Sequence, residues 1–85
     1  MKLFSEKVAL VVASIPSGKT LSYSEVAKRA GFPRAARAVG SYLRKNYDPT
    51  IPYHRVICAD GRLGNYNRGG TEMKILLLRA EGAIE

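Results

Sequence analysis

The chain has 85 residues, with 14 Lys and Arg against seven Asp and Glu (net charge +7), 46% apolar residues, five tyrosines and two phenylalanines. That length holds one small domain with a compact aliphatic core, and no apolar run approaches the roughly 18 residues of a membrane-spanning helix. One cysteine and one histidine exclude an internal disulfide and a zinc site built by this chain alone. Met1-Lys2 leads directly into an amphipathic pattern with no small-residue cleavage site behind it, so no signal peptide is expected. These features describe a reduced, intracellular, metal-free domain with no cofactor.

In chain order, residues 5 to 15 place Val8, Val11, Val12 and Ile15 on one helical face, with Ser5 as N-cap and Glu6 in the first turn. Pro16-Ser17-Gly18 ends that helix. The next start signal is nearly complete: Ser22 and Glu25 form a capping box, and Leu21 and Val26 occupy the positions of a hydrophobic staple. A helix over 23–30 is expected, closed by Gly31, then a turn at Phe32-Pro33 and a third helix over 34–45. In that helix Ala36, Val39 and Leu43 line the core side. Arg34, Arg37, Ser41 and Arg44 recur on another side at three- and four-residue spacing, beside the small residues Ala38 and Gly40. At about 1.5 Å per residue it is about 17 Å long, enough for one groove contact.

Helix, glycine turn, helix is the helix-turn-helix pattern. Beyond it, Pro49 and Pro52 restrict a connection, Val56-Ile57-Cys58 reads as a short strand, and Asp60-Gly61 as a tight turn. A return strand over 62–67 would complete a small wing. Arg68-Gly69-Gly70 is a loop, and Thr71 caps a last helix that Gly82 stops. The expected fold is mostly α with a small β element, a winged helix-turn-helix. The charge excess points to an anionic partner, because Arg34, Arg37, Arg44 and Lys45 share one short segment and Arg55, Arg62 and Arg68 follow it. The plain alternative is a solvated basic face.

One dense set of motifs remains. Ile15-Pro16-x-Gly18-Lys19, Ser22-Tyr23, Arg37-Ala38-Val39-Gly40, Asn46, Pro52-Tyr53-His54-Arg55-Val56, Gly61, Tyr66, Gly69-Gly70, Lys74, Leu76-Leu77 and Glu81-Gly82 follow in order over residues 4 to 83. Together they resemble the C-terminal DNA-binding domain of the 6-O-alkylguanine-DNA alkyltransferases, whose signature is Pro-Cys-His-Arg-Val. Tyr53 stands where that family keeps its acceptor cysteine. The chain therefore resembles the alkyltransferase-like proteins, which bind the lesion without repairing it and usually carry tryptophan there. Tyrosine departs from both patterns, as an engineered replacement would as well.

The resemblance implies roles residue by residue. Arg37 matches an arginine that enters the base stack and holds the gap left by a flipped nucleotide, which offsets part of the few kcal/mol that extrusion costs. A phosphate contact is the simpler alternative. Tyr23 matches a tyrosine that crowds the phosphate beside the target, with Arg34, Ala38, Gly40, Ser41 and Arg44 completing the DNA contact. The implied lesion pocket is walled by Tyr53, Val56, Tyr66 and Asn67, although one extra residue in the 66–70 loop displaces the match at Asn67. Arg68 could stack on a flipped base or remain solvated. His54 and Glu81 match two members of a proton relay, and Arg55 matches a structural arginine.

A phenol, with a reference pKa of about 10, ionises less at neutral pH than a thiol at about 8.5 and is the poorer nucleophile toward an alkyl carbon. Binding without transfer is the expected outcome. Cys58, the only thiol, is expected to pack as a small hydrophobe; its alternative is a second acceptor. The implied partner is double-stranded DNA containing alkylated guanine, read by a monomer and passed to nucleotide excision repair. The expected location is the nucleoid in a prokaryotic cytoplasm or a eukaryotic nucleus.

Overall fold

The N-terminal helix owes its length to a tertiary contact. In the computed structural model, which describes residues 2–46, 48, 50–64, 66 and 69–84, α1 spans Lys2–Ala13. Phe4, Val8 and Val12 form its buried stripe at i, i+4 and i+8. Phe4 meets Phe32 edge to face, with ring centroids 5.1 Å apart and planes at 74°. That contact draws the helix a turn beyond the expected start, so Ser5 lies inside α1 and does not cap it. The helix also stops at Ala13, before Pro16.

The second helix follows its local signals closely. Ser22 is the N-cap of α2, Tyr23–Arg29, and its hydroxyl accepts the Glu25 N–H at 3.0 Å. The other half of the box is diverted, because the Glu25 carboxylate accepts from Arg29 at 2.9 Å on the exposed face. A Schellman closure ends the helix: Gly31 donates to Lys28 and Phe32 to Ala27, at 3.1 and 2.9 Å, with Gly31 at φ +91°. The third helix, α3, begins only at Ala36 and runs to Arg44. Arg34 thus sits in the preceding turn, off the stripe that it was expected to share. Val26 and Ala27 of α2 and Val39 and Leu43 of α3 are fully buried, which makes α2–turn–α3 a helix-turn-helix.

The small sheet is not the expected hairpin. Strand β1, Leu21–Ser22, pairs in parallel with β2, Val56–Ile57, in the register Leu21↔Val56 and Ser22↔Ile57. The Asp60-Gly61 turn does form: Cys58 N–H donates to the Arg62 carbonyl at 2.8 Å, and Asp60 accepts the Arg62 N–H at 3.0 Å. Among the described residues, however, no return strand follows it; Asn65, Asn67 and Arg68 lie outside them. The physical reason is a competing donor. Lys74 Nζ donates to the Val56 carbonyl at 2.7 Å and to the Leu63 carbonyl, where a strand ladder would supply backbone N–H groups.

Lys74 belongs to the last helix, α4, Gly70–Ala80. Gly69, not Thr71, precedes it as N-cap, at φ +118°, a left-handed conformation that favours glycine. A Cβ at Gly69 would stand 2.8 Å from the Met73 Cβ. Thr71 instead turns its hydroxyl toward the Gly64 carbonyl at 3.4 Å. Gly82 closes α4 with a second Schellman pair, to Arg79 and through Ala83 to Leu78.

Candidate functional site

α3 presents Arg37, Ala38, Ser41 and Arg44 to solvent, with Gly40 half-buried among them. Gly40 faces the Tyr23 ring, where an added Cβ would make ordinary contact at 3.7 Å. Charge on this side is left open. Arg29, Arg62 and Arg55 pair with Glu25, Asp60 and Glu81 respectively. Arg34, Arg37 and Lys45 have no carboxylate partner among the described residues and remain exposed.

Behind that face lies a cavity of about 370 Å³ lined by Tyr23, Ala36, Arg37, Gly40, Arg44, Tyr53, Cys58 and Gly64. Tyr53 reaches it from a single 3₁₀ turn, Tyr53–Arg55, although its side chain is almost wholly buried at 2% exposure. The Tyr53 and Tyr23 hydroxyls are 3.4 Å apart, a long contact in which either can donate. Burial, followed by the Tyr53 hydroxyl, pushes the Tyr23 phenol above its ordinary pKa. Tyr23 is therefore a neutral donor at physiological pH.

Of the three expected pocket residues that are described, only Tyr53 faces this cavity. The Tyr66 ring packs against that of Tyr53, 5.5 Å between centroids, and lines a second cavity of about 410 Å³ with His54 and Arg55. The side chain of Val56 is completely buried and lines neither. Asn67 lies outside the described residues. A tyrosine at position 53 brings this about by bulk: its ring occupies the interior space that a thiol would leave open, and the Tyr66 ring lies tilted against it at 57°. Cys58 departs from expectation in the opposite sense. It is half-buried and lines the first cavity, its Sγ 3.4 Å from where a Gly64 Cβ would stand.

On the other side of Tyr53, His54 and Glu81 meet as expected, Nε2 to Oε2 at 2.9 Å. A carboxylate only accepts, so Nε2 carries the proton of this contact. Arg55 is the stronger partner of the same carboxylate. Its Nε and Nη2 donate at 3.0 and 2.7 Å, and its Nη1 donates to the Ile15 carbonyl at 2.8 Å. The bracket thus ties the end of α1, the 3₁₀ turn and the end of α4 together. Arg55, and after it His54, hold the Glu81 carboxyl down at about 2, against an ordinary 4.5.

A carboxylate with a depressed folded pKa stabilises fully above its unfolded value and loses that contribution as pH falls toward its folded one. Acid titration from about 4.5 to about 2 is therefore expected to remove about 2 kcal/mol, a figure kept low because water reaches the rim of the pair. Glu81→Gln should flatten that window in melts followed by circular dichroism. Identical acid curves for the two proteins would place the acid-labile contact elsewhere.

Lys74 contributes a feature that sequence reasoning missed. Its side chain is fully buried, and besides its two carbonyl bonds it stands 5.5 Å from the centroid of the Tyr53 ring. Burial pushes its pKa down to about 8. Its sequence signal was a place in the motif set; a single lysine in a helix that also carries Glu72 and Arg79 reads as solvated when taken alone. Among the described residues no group of three His, Cys, Asp or Glu could hold a metal, and no helix is long and apolar enough to cross a membrane.

The family profile described as the DNA-binding domain of 6-O-methylguanine DNA methyltransferase matches residues 3–83. The chain belongs to this family. A methylated-DNA–protein-cysteine methyltransferase of Methanothermobacter thermautotrophicus is 49% identical over 80 residues, covering 93% of the chain and 44% of that protein. The solved Mycobacterium tuberculosis OGT in complex with DNA superposes with a TM-score of 0.87 at 42% identity, over 94% of this chain and 50% of that one. S. pombe Atl1 in complex with damaged DNA containing O6-carboxymethylguanine gives 0.84 at 34% identity, over 96% and 78%. The chain thus spans about a third to a half of the curated methyltransferases that it matches. As a family member, it is a helix-turn-helix domain of alkyltransferase type.

Proposed function

We propose that this protein is a non-enzymatic sensor of 6-O-alkylguanine in DNA. It binds the minor groove through α3, turns the lesion out of the stack with Arg37 and Tyr23, and leaves the complex for another repair pathway. The observation that carries this reading is Tyr53: a phenol, buried, at the position that the resemblance gives to the acceptor cysteine, beside an assembled His54–Glu81 pair. The relay partners are present, but the nucleophile they would serve is a weak one. Structures of relatives bound to DNA support the interface, and the open cations along α3 supply its charge. Hand-over to nucleotide excision repair, action as a monomer, and a location wherever the DNA is held are parts of the same proposal.

The test is a paired titration at fixed salt with a duplex carrying one 6-O-methylguanine and its undamaged twin, followed by mass measurement of protein and oligonucleotide. Tighter lesion binding with both masses unchanged is expected. Equal affinity would leave a helix-turn-helix protein without lesion preference and overturn the proposal. A second reading, a one-shot alkyltransferase acting through Cys58, is favoured by the place of that thiol in the same cavity as Tyr53. It requires a methyl mass on Cys58 that vanishes in Cys58→Ser.

Arg37→Ala should weaken discrimination between lesion and guanine about tenfold, while overall affinity falls only about threefold. Equal losses on both duplexes would make Arg37 a phosphate contact and remove it from flipping.

A further inference from the structure

The outer face of α4 leaves two large apolar side chains and two charges uncovered. Lys74 and Leu78 turn inward and are fully buried, whereas Leu76 is 59% exposed and Met73 40%. Glu72 and Arg79 are exposed beside them, and with Ile75 and Leu76 they line a shallow depression. Those four residues hold the i, i+3, i+4 and i+7 positions of one helix face. Glu72 and Arg79 stand two turns apart, about 10 Å along the axis, and among the described residues neither has an ion-pair partner. Each suits its own end of the helix dipole, the acid in the first turn and the base in the last. Scattered surface leucines are ordinary, so the apolar stripe alone selects no partner. The order of the charges does.

We propose that the occupant of this face is a second copy of the chain, its α4 laid antiparallel on the first. Glu72 and Arg79 lie at equal distances either side of the midpoint between Ile75 and Leu76. A half-turn about an axis through that midpoint sets Glu72 of each copy against Arg79 of the other. Two ion pairs close, and the Ile75 and Leu76 side chains of both copies meet between them. The same placement sets opposite ends of the two helix dipoles side by side. A parallel pairing would face like charges, and DNA offers no base for Glu72 and no cover for Leu76. The face is locally neutral on a chain of net +7, so two copies approach where their repulsion is least. α4 has 11 residues and is about 16 Å long, too short to bury the roughly 1,200 Å² of a standard interface. The contact is therefore weak, with a Kd on the order of 0.1 mM. α4 contributes nothing to the cavity behind α3, so each copy keeps its own DNA face and still reads a lesion as a single domain.

The experiment is sedimentation equilibrium at fixed salt, from about 10 µM to about 1 mM protein. It compares the wild type, Glu72→Arg, Arg79→Glu and an equimolar mixture of the two variants, with thermal melts to confirm that both variants are folded. The wild-type mass should climb from that of one chain toward that of two. Each variant alone faces like charges twice and should associate about tenfold more weakly. In the mixture every Glu meets an Arg, and association should recover to the wild-type level. Arg79→Glu also lowers the net charge from +7 to +5, so general repulsion cannot account for its loss. A wild type that stays a single chain at about 1 mM would overturn the proposal, as would variants that associate like the wild type. Wild-type association without recovery in the mixture would overturn it too, because only the antiparallel pairing predicts that rescue. Lesion binding is read by a separate titration, so the sensor reading stands or falls independently.

Discussion

Lys74→Ala is expected to remove about 4 kcal/mol, a large part of the stability of a domain this small. The substitution strips the partner from the buried carbonyl of Val56 and the part-buried one of Leu63, at about 1–3 kcal/mol for a buried group and less for the second. It also opens a void where a fully buried side chain lay against Tyr53. Relief of the buried ammonium returns part of this, since burial holds its pKa at about 8. Lys74→Met keeps the stem and should lose only about 2 kcal/mol. Chemical denaturation of the three proteins decides the matter: equal stability would mean that the carbonyls find water and that Lys74 is no anchor.

The same residue predicts an alkaline signature. The folded chain holds the Lys74 proton less tightly than the unfolded chain, so stability should rise as pH climbs from about 8 toward 10. Above about 10 the trend should reverse, because the buried Tyr23 phenol keeps a proton that the unfolded chain has lost. Lys74→Met should abolish the rise and leave the reversal in place.

Tyr53→Cys, made in a Cys58→Ser background, is expected to take up one methyl group per molecule from a 6-O-methylguanine duplex, where the parent takes up none. Three features of the site favour this outcome. His54 donates through Nε2 to Glu81, which leaves Nδ1 to receive a proton. Lys74 places an ammonium beside position 53, where it would favour a thiolate. A thiol also ionises about 1.5 pKa units more readily than a phenol and is the stronger nucleophile toward carbon. Exchanging a buried tyrosine for cysteine leaves a void worth about 3 kcal/mol, so folding must be verified by a melt. A folded Tyr53→Cys protein that binds the lesion but gains no mass would show that the site has lost the reaction beyond residue 53.

Several local rules held. The Ser22 hydroxyl on the Glu25 N–H, the Gly31 and Gly82 closures and the Asp60-Gly61 turn each involve groups a few residues apart, so short spacing specifies them. The sequence likewise pointed to His54 and Glu81 as partners, through the motif resemblance, and to a basic α3. What it could not determine was the competition between alternative partners, near or far. Glu25 completes no box because Arg29, four residues on, holds its carboxylate. Glu81 is held more strongly by Arg55 than by His54, and Arg55 reaches 40 residues back to Ile15.

The wing was misplaced for the same reason. Turn chemistry favoured a hairpin over 56–67, but β2 found β1, 35 residues earlier by register, and Lys74 took the carbonyls that a return strand would have used. The contents of the cavity were equally out of reach. Tyr53 was legible as a departure from the cysteine signature, but its consequence depends on volume: the ring fills the interior, draws Tyr66 behind it and turns its hydroxyl to Tyr23. By itself, therefore, the sequence determined the helix-turn-helix, its basic face and a tyrosine where the resemblance expects a cysteine. Only the tertiary structure decided which side chains enclose the empty space, because packing distributes each buried donor and acceptor among all the partners within reach.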